Sequence, residues 1–184
     1  AKAAHVLLGD YPTSEPQLQL RLPTERYYEE EGRAELTPRD FGILMHRVFE
    51  NAATTDEIYT AIEAMTQDGV LDEKEAPRLR ELVEKALADP VTAEWFGGRW
   101  QVVRNENEII LPGSGTTRRP DRVMTDGERA VVVDYKFGDR ETARHRKQIR
   151  EYLHLLRQMG HTRTEGYLWY VRLGRTERVE EKED

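Results

Sequence analysis

Hydrophobic positions along this chain follow two periods in turn, helical first and strand-like later. Phe41, Leu44, Met45, Val48 and Phe49 recur every three or four residues and so share one helix face. Thr37 as N-cap, Pro38 at the first helical position and Asp40 in the first turn predict where that helix begins. Residues 55–67 predict a second helix, broken by Asp68-Gly69. Residues 73–88 predict a third, with Leu79, Leu82, Val83 and Leu87 as its buried stripe and Pro90 as its stop.

The period changes near Trp100. Residues 100–111 predict a strand through Val102, Val103, Ile109 and Ile110, and residues 112–117 a turn. Residues 119–125 and 130–137 predict a hairpin around Asp126-Gly127. The run Val131-Val132-Val133 predicts a central strand buried on both faces. Residues 140–159 predict a long helix ended by Gly160, and residues 166–173 a last strand, with one of Trp169 and Tyr170 in the core and the other partly exposed. A helix crossing between two strands makes them parallel neighbours, so the sheet is expected to be mixed. The fold class is α/β: a mixed central sheet flanked by helices, with a helical region ahead of it. Residues 1–36 hold Pro12, Pro16 and Pro23 and predict an extended arm. Residues 37–175 then form a single domain, and 176–184 a charged tail.

Composition narrows the chemistry. The chain has 184 residues and no cysteine, which excludes disulfides, thiolate zinc sites and iron–sulfur clusters and fits a cytoplasmic setting. No apolar run approaches the ~20 residues of a membrane span, and no signal-peptide pattern opens the chain. The net charge of −7 argues against unspecific nucleic-acid binding. That charge is unevenly spread. Residues 116–152 carry 10 Lys and Arg against 7 Asp and Glu, whereas the remainder carries 18 against 28. A DNA substrate is therefore compatible with the local charge.

Within the basic segment, Asp134 and Lys136 are two apart on a strand and so share a face at the end of an apolar run, where a carboxylate can hold a hard cation. Hairpin register decides whether Asp121 joins them. A connection through residues 126–129 gives paired positions a constant sum of 255 and sets Asp121 opposite Asp134. A two-residue turn at Asp126-Gly127 gives 253 and a diagonal on the same face. Only an odd connection or a bulge separates the two aspartates. Carboxylates that close, about 5–8 Å apart, repel unless a cation or Lys136 lies between them.

Pro120-Asp121, followed after twelve residues by Asp134-X-Lys136, resembles the signature of the PD-(D/E)XK nucleases. Gly42-Ile43-Leu44-Met45-His46 looks like the G-X-X-X-H motif of their RecB-like branch, which occurs fused to UvrD-type helicases. Gln148 and Tyr152 look like its Q-X-X-X-Y motif. The resemblance runs from about Pro38 to Val171, with the motifs in family order. It implies a restriction-endonuclease-like core and a Mg2+-dependent (or Mn2+-dependent) deoxyribonuclease, an exonuclease acting on single-stranded DNA ends. It also implies a helicase domain in the same polypeptide and a role in repair and recombination. The chain, which opens without an initiator methionine, is then expected to be a fragment.

The same resemblance gives the residues their roles. His46, Asp121, Asp134 and the Tyr135 carbonyl would be metal ligands. Lys136 would hold the attacking water or offset charge on the phosphate, and Gln148 and Tyr152 would orient the DNA backbone or the lysine. The family's further acid is Glu106, with Glu108, two residues on, as its competitor. Arg144, His145, Arg146, Lys147 and Arg150 form either a solvated face or a phosphate-binding one. The rival reading is a catalytically inactive module of the same fold that binds DNA ends or a helicase partner.

Overall fold

A computed structural model describes residues 36–106, 108–110, 117–138 and 143–180. The expected arm falls outside these residues except for Leu36, as does the last part of the expected tail. Four helices come first: α1 Pro38–Glu50, α2 Thr55–Gln67, α3 Ala76–Ala86 and α4 Pro90–Trp95. Helix α1 starts where its capping residues predict. The Asp40 amide donates to Thr37 Oγ1 at 3.3 Å and the Thr37 amide to Asp40 Oδ2 at 2.8 Å, a reciprocal capping box. Pro90, expected only to end the third helix, opens α4 instead: Asp89 Oδ1 accepts from the Val91 amide and proline takes the first helical position.

Strands and a final helix follow: β1 Val102–Asn105, β2 Ile109–Ile110, β3 Thr117–Arg118, β4 Arg122–Asp126, β5 Arg129–Lys136, α5 Ala143–Gln158, β6 Arg163–Tyr170 and β7 Arg175–Arg178. The main sheet has the order β1-β4-β5-β6-β7, with β5 and β6 parallel and the other neighbours antiparallel. The mixed α/β architecture read from the sequence is therefore the one adopted. The hairpin keeps the sum of 255, with Thr125 opposite Ala130. Asp126 and Arg129 also pair, so the turn is Gly127-Glu128, one residue later than the Asp-Gly signal. Gly127 at φ 83 supplies the positive φ that the first turn position needs.

Three strand expectations need correction. Residues 100–111 do not form one strand. The chain leaves the sheet at Glu106, whose φ is 52, and Ile109–Ile110 pairs with β3 in a separate two-stranded sheet. The expected last strand ends at Tyr170, where a single 3-10 turn over Val171–Leu173 and Gly174 in the left-handed region reverse the chain into β7. The sheet thus continues past residue 175, and Val179 is buried beyond it. Finally, Trp169 and Tyr170 are both buried, because the sheet is covered on both faces. One core joins α1–α4 to Met124, Val131, Val133, Tyr135 and Trp169. The other joins α5 to Val123, Ala130, Val132, Leu168 and Tyr170. Among the described residues no helix is long and apolar enough to cross a membrane.

Candidate active site

The site lies where β1, β4 and β5 meet the side of α1. Helix α1 brings its Gly42–His46 turn close to the end of β5: a Cβ on Gly42 would stand 3.1 Å from Phe137 Cβ. The small residue permits that approach and sets His46, one turn on, over the sheet edge. The His46 ring packs edge-on against Phe137 at 5.7 Å and Tyr135 at 6.4 Å.

His46 Nε2 lies 3.5 Å from Glu106 Oε1 and 3.8 Å from Asp121 Oδ1. Among the described residues, donor atoms of these three side chains all lie within 4.8 Å of one another. Ligands of one hard cation, bound at about 2.1–2.4 Å, are at most about 4.2–4.8 Å apart, so the cluster fits a single ion. The other Asp121 oxygen, Oδ2, accepts from the Tyr135 amide. The Glu106 amide donates to the Asp121 carbonyl at 3.0 Å. Glu108, the competitor, is exposed and stands beyond the break at Glu106, so the same-face argument does not reach it.

Negative charge concentrated here shifts the titrations. The Asp121 carboxylate, facing the ring as an acceptor, raises the His46 pKa against the opposing effect of burial, and the charges of Glu106 and Glu50 add to it. Burial, then Asp121, raises Glu106, while Arg119 at 2.8 Å and His46 pull it down.

Strand alternation puts Asp134 and Lys136 on the other sheet face, toward α5. Asp134 is 2% exposed and ion-paired to Lys136. Burial, then the Asp121 charge, pushes its carboxyl up to about 6, against the opposing pull of Lys136 and His46. Asp134 therefore does not join the three-donor cluster; Lys136 supplies its positive partner. Asp121, just ahead of β4, is the link, since its charge acts on His46 and Glu106 on one side and on Asp134 and Tyr152 on the other. On α5, Gln148 Nε2 donates to the Tyr152 hydroxyl at 2.8 Å. Burial pushes that phenol up to about 12, so it stays protonated.

Some neighbours were not singled out from the sequence. Arg119 pairs with Glu106. His145, already named within the basic α5 cluster, has its pKa lowered by burial and by the charges of Lys136, Arg144 and Arg146. Arg122 is fully buried. The register held a signal for it, because Arg122 pairs with the core residue Val133. Of the basic α5 cluster, Arg144 and Lys147 are exposed, while Arg146 is paired with Glu177 and Arg150 donates to the Glu180 carbonyl.

No curated protein matches the chain significantly. The family model of the PD-(D/E)XK nuclease superfamily matches residues 17–184, nearly the whole chain and every element of the site just described. With a mixed sheet that carries Asp121 and the Asp134-X-Lys136 strand end beside one another, the chain belongs to the PD-(D/E)XK nuclease superfamily.

Proposed function

We propose that this domain hydrolyses phosphodiester bonds in DNA with the aid of a divalent cation, Mg2+ or Mn2+. The observation that carries the reading is the His46–Glu106–Asp121 cluster, within 4.8 Å and adjoining the Asp134–Lys136 pair. Carboxylate oxygens with one imidazole suit a hard cation better than zinc. His46, Glu106 and Asp121 hold it; Asp134 and the Tyr135 carbonyl are further candidate ligands. When bound, such a cation neutralises phosphate charge and lowers the pKa of a bound water toward neutrality. The protein's own groups do the rest. Asp121 fixes the end of β5 through the Tyr135 amide, and so the direction in which Lys136 leaves the strand. Lys136, with a side chain 20% exposed, presents its ammonium to hold the attacking water or to offset charge developing on the phosphate. Gln148 and Tyr152 line the α5 side and orient the DNA backbone or the lysine.

The finer reading follows from the sequence motifs. The domain is of the RecB-like branch, works as an exonuclease on single-stranded ends, and is joined to a helicase in repair or recombination. The test is cleavage of linear and closed-circular single-stranded DNA with Mg2+, Mn2+ or EDTA, by the wild type and by Lys136→Ala. Cleavage of the linear strand alone, lost with EDTA and with the substitution, is the expected result. Activity that survives both treatments overturns the mechanism. Cutting of circles overturns the exonuclease mode. No cleavage with either cation favours the binding module. A gene that encodes no motor domain ahead of Ala1 removes the helicase link.

A further inference from the structure

The three donor side chains come from three different elements: His46 from α1, Glu106 from just past β1, Asp121 from just before β4. The immediate neighbours of Glu106 and Asp121 meet at one buried point, joined there by the chain just after α1. Asn105 precedes Glu106, Arg122 follows Asp121, and the two are opposite each other in the β1–β4 register. Arg122 Nη1 donates to the Ala52 carbonyl at 2.7 Å and to Asn105 Oδ1 at 3.2 Å. Its Nη2 donates to the Ala53 and Trp95 carbonyls, both at 2.7 Å. Asn105 Nδ2 donates to the same Ala52 carbonyl at 3.1 Å. Ala52 and Ala53 follow the Asn51 C-cap of the helix that carries His46, and Trp95 ends α4.

A fully buried cation is expensive unless its donors are met. Arg122 meets that demand at both Nη atoms with main-chain carbonyls from just beyond one helix and the end of another, where the helix dipoles concentrate negative charge, while its buried Nε has no hydrogen-bond partner among the described residues. Its guanidinium also stacks on the Phe96 ring at 4.0 Å. The planar fork of an arginine reaches several acceptors at fixed angles; a lysine does not. The junction therefore fixes the chain just after α1 against β1 and β4, immediately beside Glu106 and Asp121.

We infer that Asn105 and Arg122 are positioning residues, which hold the three donor-bearing elements in register for a divalent cation. The inference rests on the proposed cation role of His46, Glu106 and Asp121. Neither residue touches the ion; each acts through the backbone next to a donor, and supporting groups of that kind typically change metal affinity by about 10–100-fold.

The test compares wild type, Asn105→Ala, Arg122→Lys and Arg122→Met with Leu79→Ala, a core change in α3 chosen for a matching loss of melting temperature. Two readouts are taken: Mn2+ affinity by titration, and hydrogen exchange at the Glu106 and Tyr135 amides, which both donate to Asp121. Exchange at the Val131 and Val132 amides serves as the internal reference. The expected result is Mn2+ binding weaker by about tenfold in the junction variants. Exchange at Glu106 and Tyr135 rises relative to the reference, and Leu79→Ala changes neither ratio. Arg122→Lys falls between wild type and Arg122→Met. If Arg122→Met does not fold, Asn105→Ala carries the comparison. Exchange ratios unchanged in Asn105→Ala and Arg122→Lys, or matched by Leu79→Ala, overturn the inference. A wild type that takes up no Mn2+ overturns the cation reading instead, and the exchange ratios still decide whether the junction places Asp121.

Discussion

Gly166 sits in β6 directly against Ile149 and Leu153 of α5. A Cβ built there would stand 2.4 Å from Ile149 Cγ2 and 3.2 Å from both Leu153 δ-carbons. Ordinary carbon contacts are about 3.5–4.0 Å, so Gly166→Ala must open this contact by more than about 1 Å. The Leu153 methyls can rotate away. The Ile149 Cγ2 cannot, because a β-branched side chain in a helix has essentially one χ1 rotamer. The helix itself has to move. Overpacking of this kind costs about 1–3 kcal/mol, and replacing glycine returns about 0.4–1 kcal/mol through the unfolded chain. The expected net loss is about 1–2 kcal/mol, or a few degrees in melting temperature at this chain length. Urea unfolding of wild type, Gly166→Ala, Ile149→Ala and the double variant measures it. The double variant should be more stable than the sum of the singles by about 1 kcal/mol, since Ile149→Ala removes the clashing methyl. Cleavage should fall further than stability, because Gln148 and Tyr152 ride on the displaced turn and misplacement by about 1 Å can cost about 100-fold. A Gly166→Ala protein as stable as wild type, or strictly additive singles, would refute the reasoning.

Four other substitutions probe other parts of the molecule. Glu106→Gln should abolish Mn2+ uptake and cleavage while Glu108→Gln retains both; equal effects in a binding titration would contradict the placement of Glu108 outside the cluster. Thr37→Ala removes the side-chain acceptor that caps α1 and should cost about 1 kcal/mol in thermal unfolding, with no loss of turnover at temperatures where the protein stays folded. Burial pushes the Glu165 pKa up, but hydrogen bonds from Arg129 and the Tyr167 hydroxyl outweigh it and leave it lowered. A lowered carboxyl contributes stability that is present above its unfolded value of 4.5 and lost as pH falls through the folded one. Arg129→Met should therefore flatten the acid limb of a stability–pH profile between about pH 5 and 3, and an unchanged limb would assign that loss to other carboxylates.

Much of this protein is determined by local sequence. Capping residues set the start of α1, the valine run set a central strand buried on both faces, and the even hairpin register brought Asp121 to the end of β5 next to Asp134. Those features depend on neighbours a few residues apart, so periodicity and pairing sums suffice to read them. The break at Glu106, the second small sheet and β7 were not legible, because each depends on what lies across from the strand rather than on the strand itself. The same holds within the site. The family resemblance named His46, Glu106, Asp121 and Asp134 together; tertiary structure brings the first three within 4.8 Å of one another and pairs Asp134 with Lys136 on the α5 face. Arg122 makes the distinction sharpest. As a letter in a strand it is an unremarkable cation. Only the folding of two helix ends onto its guanidinium supplies the carbonyls that make its burial tolerable.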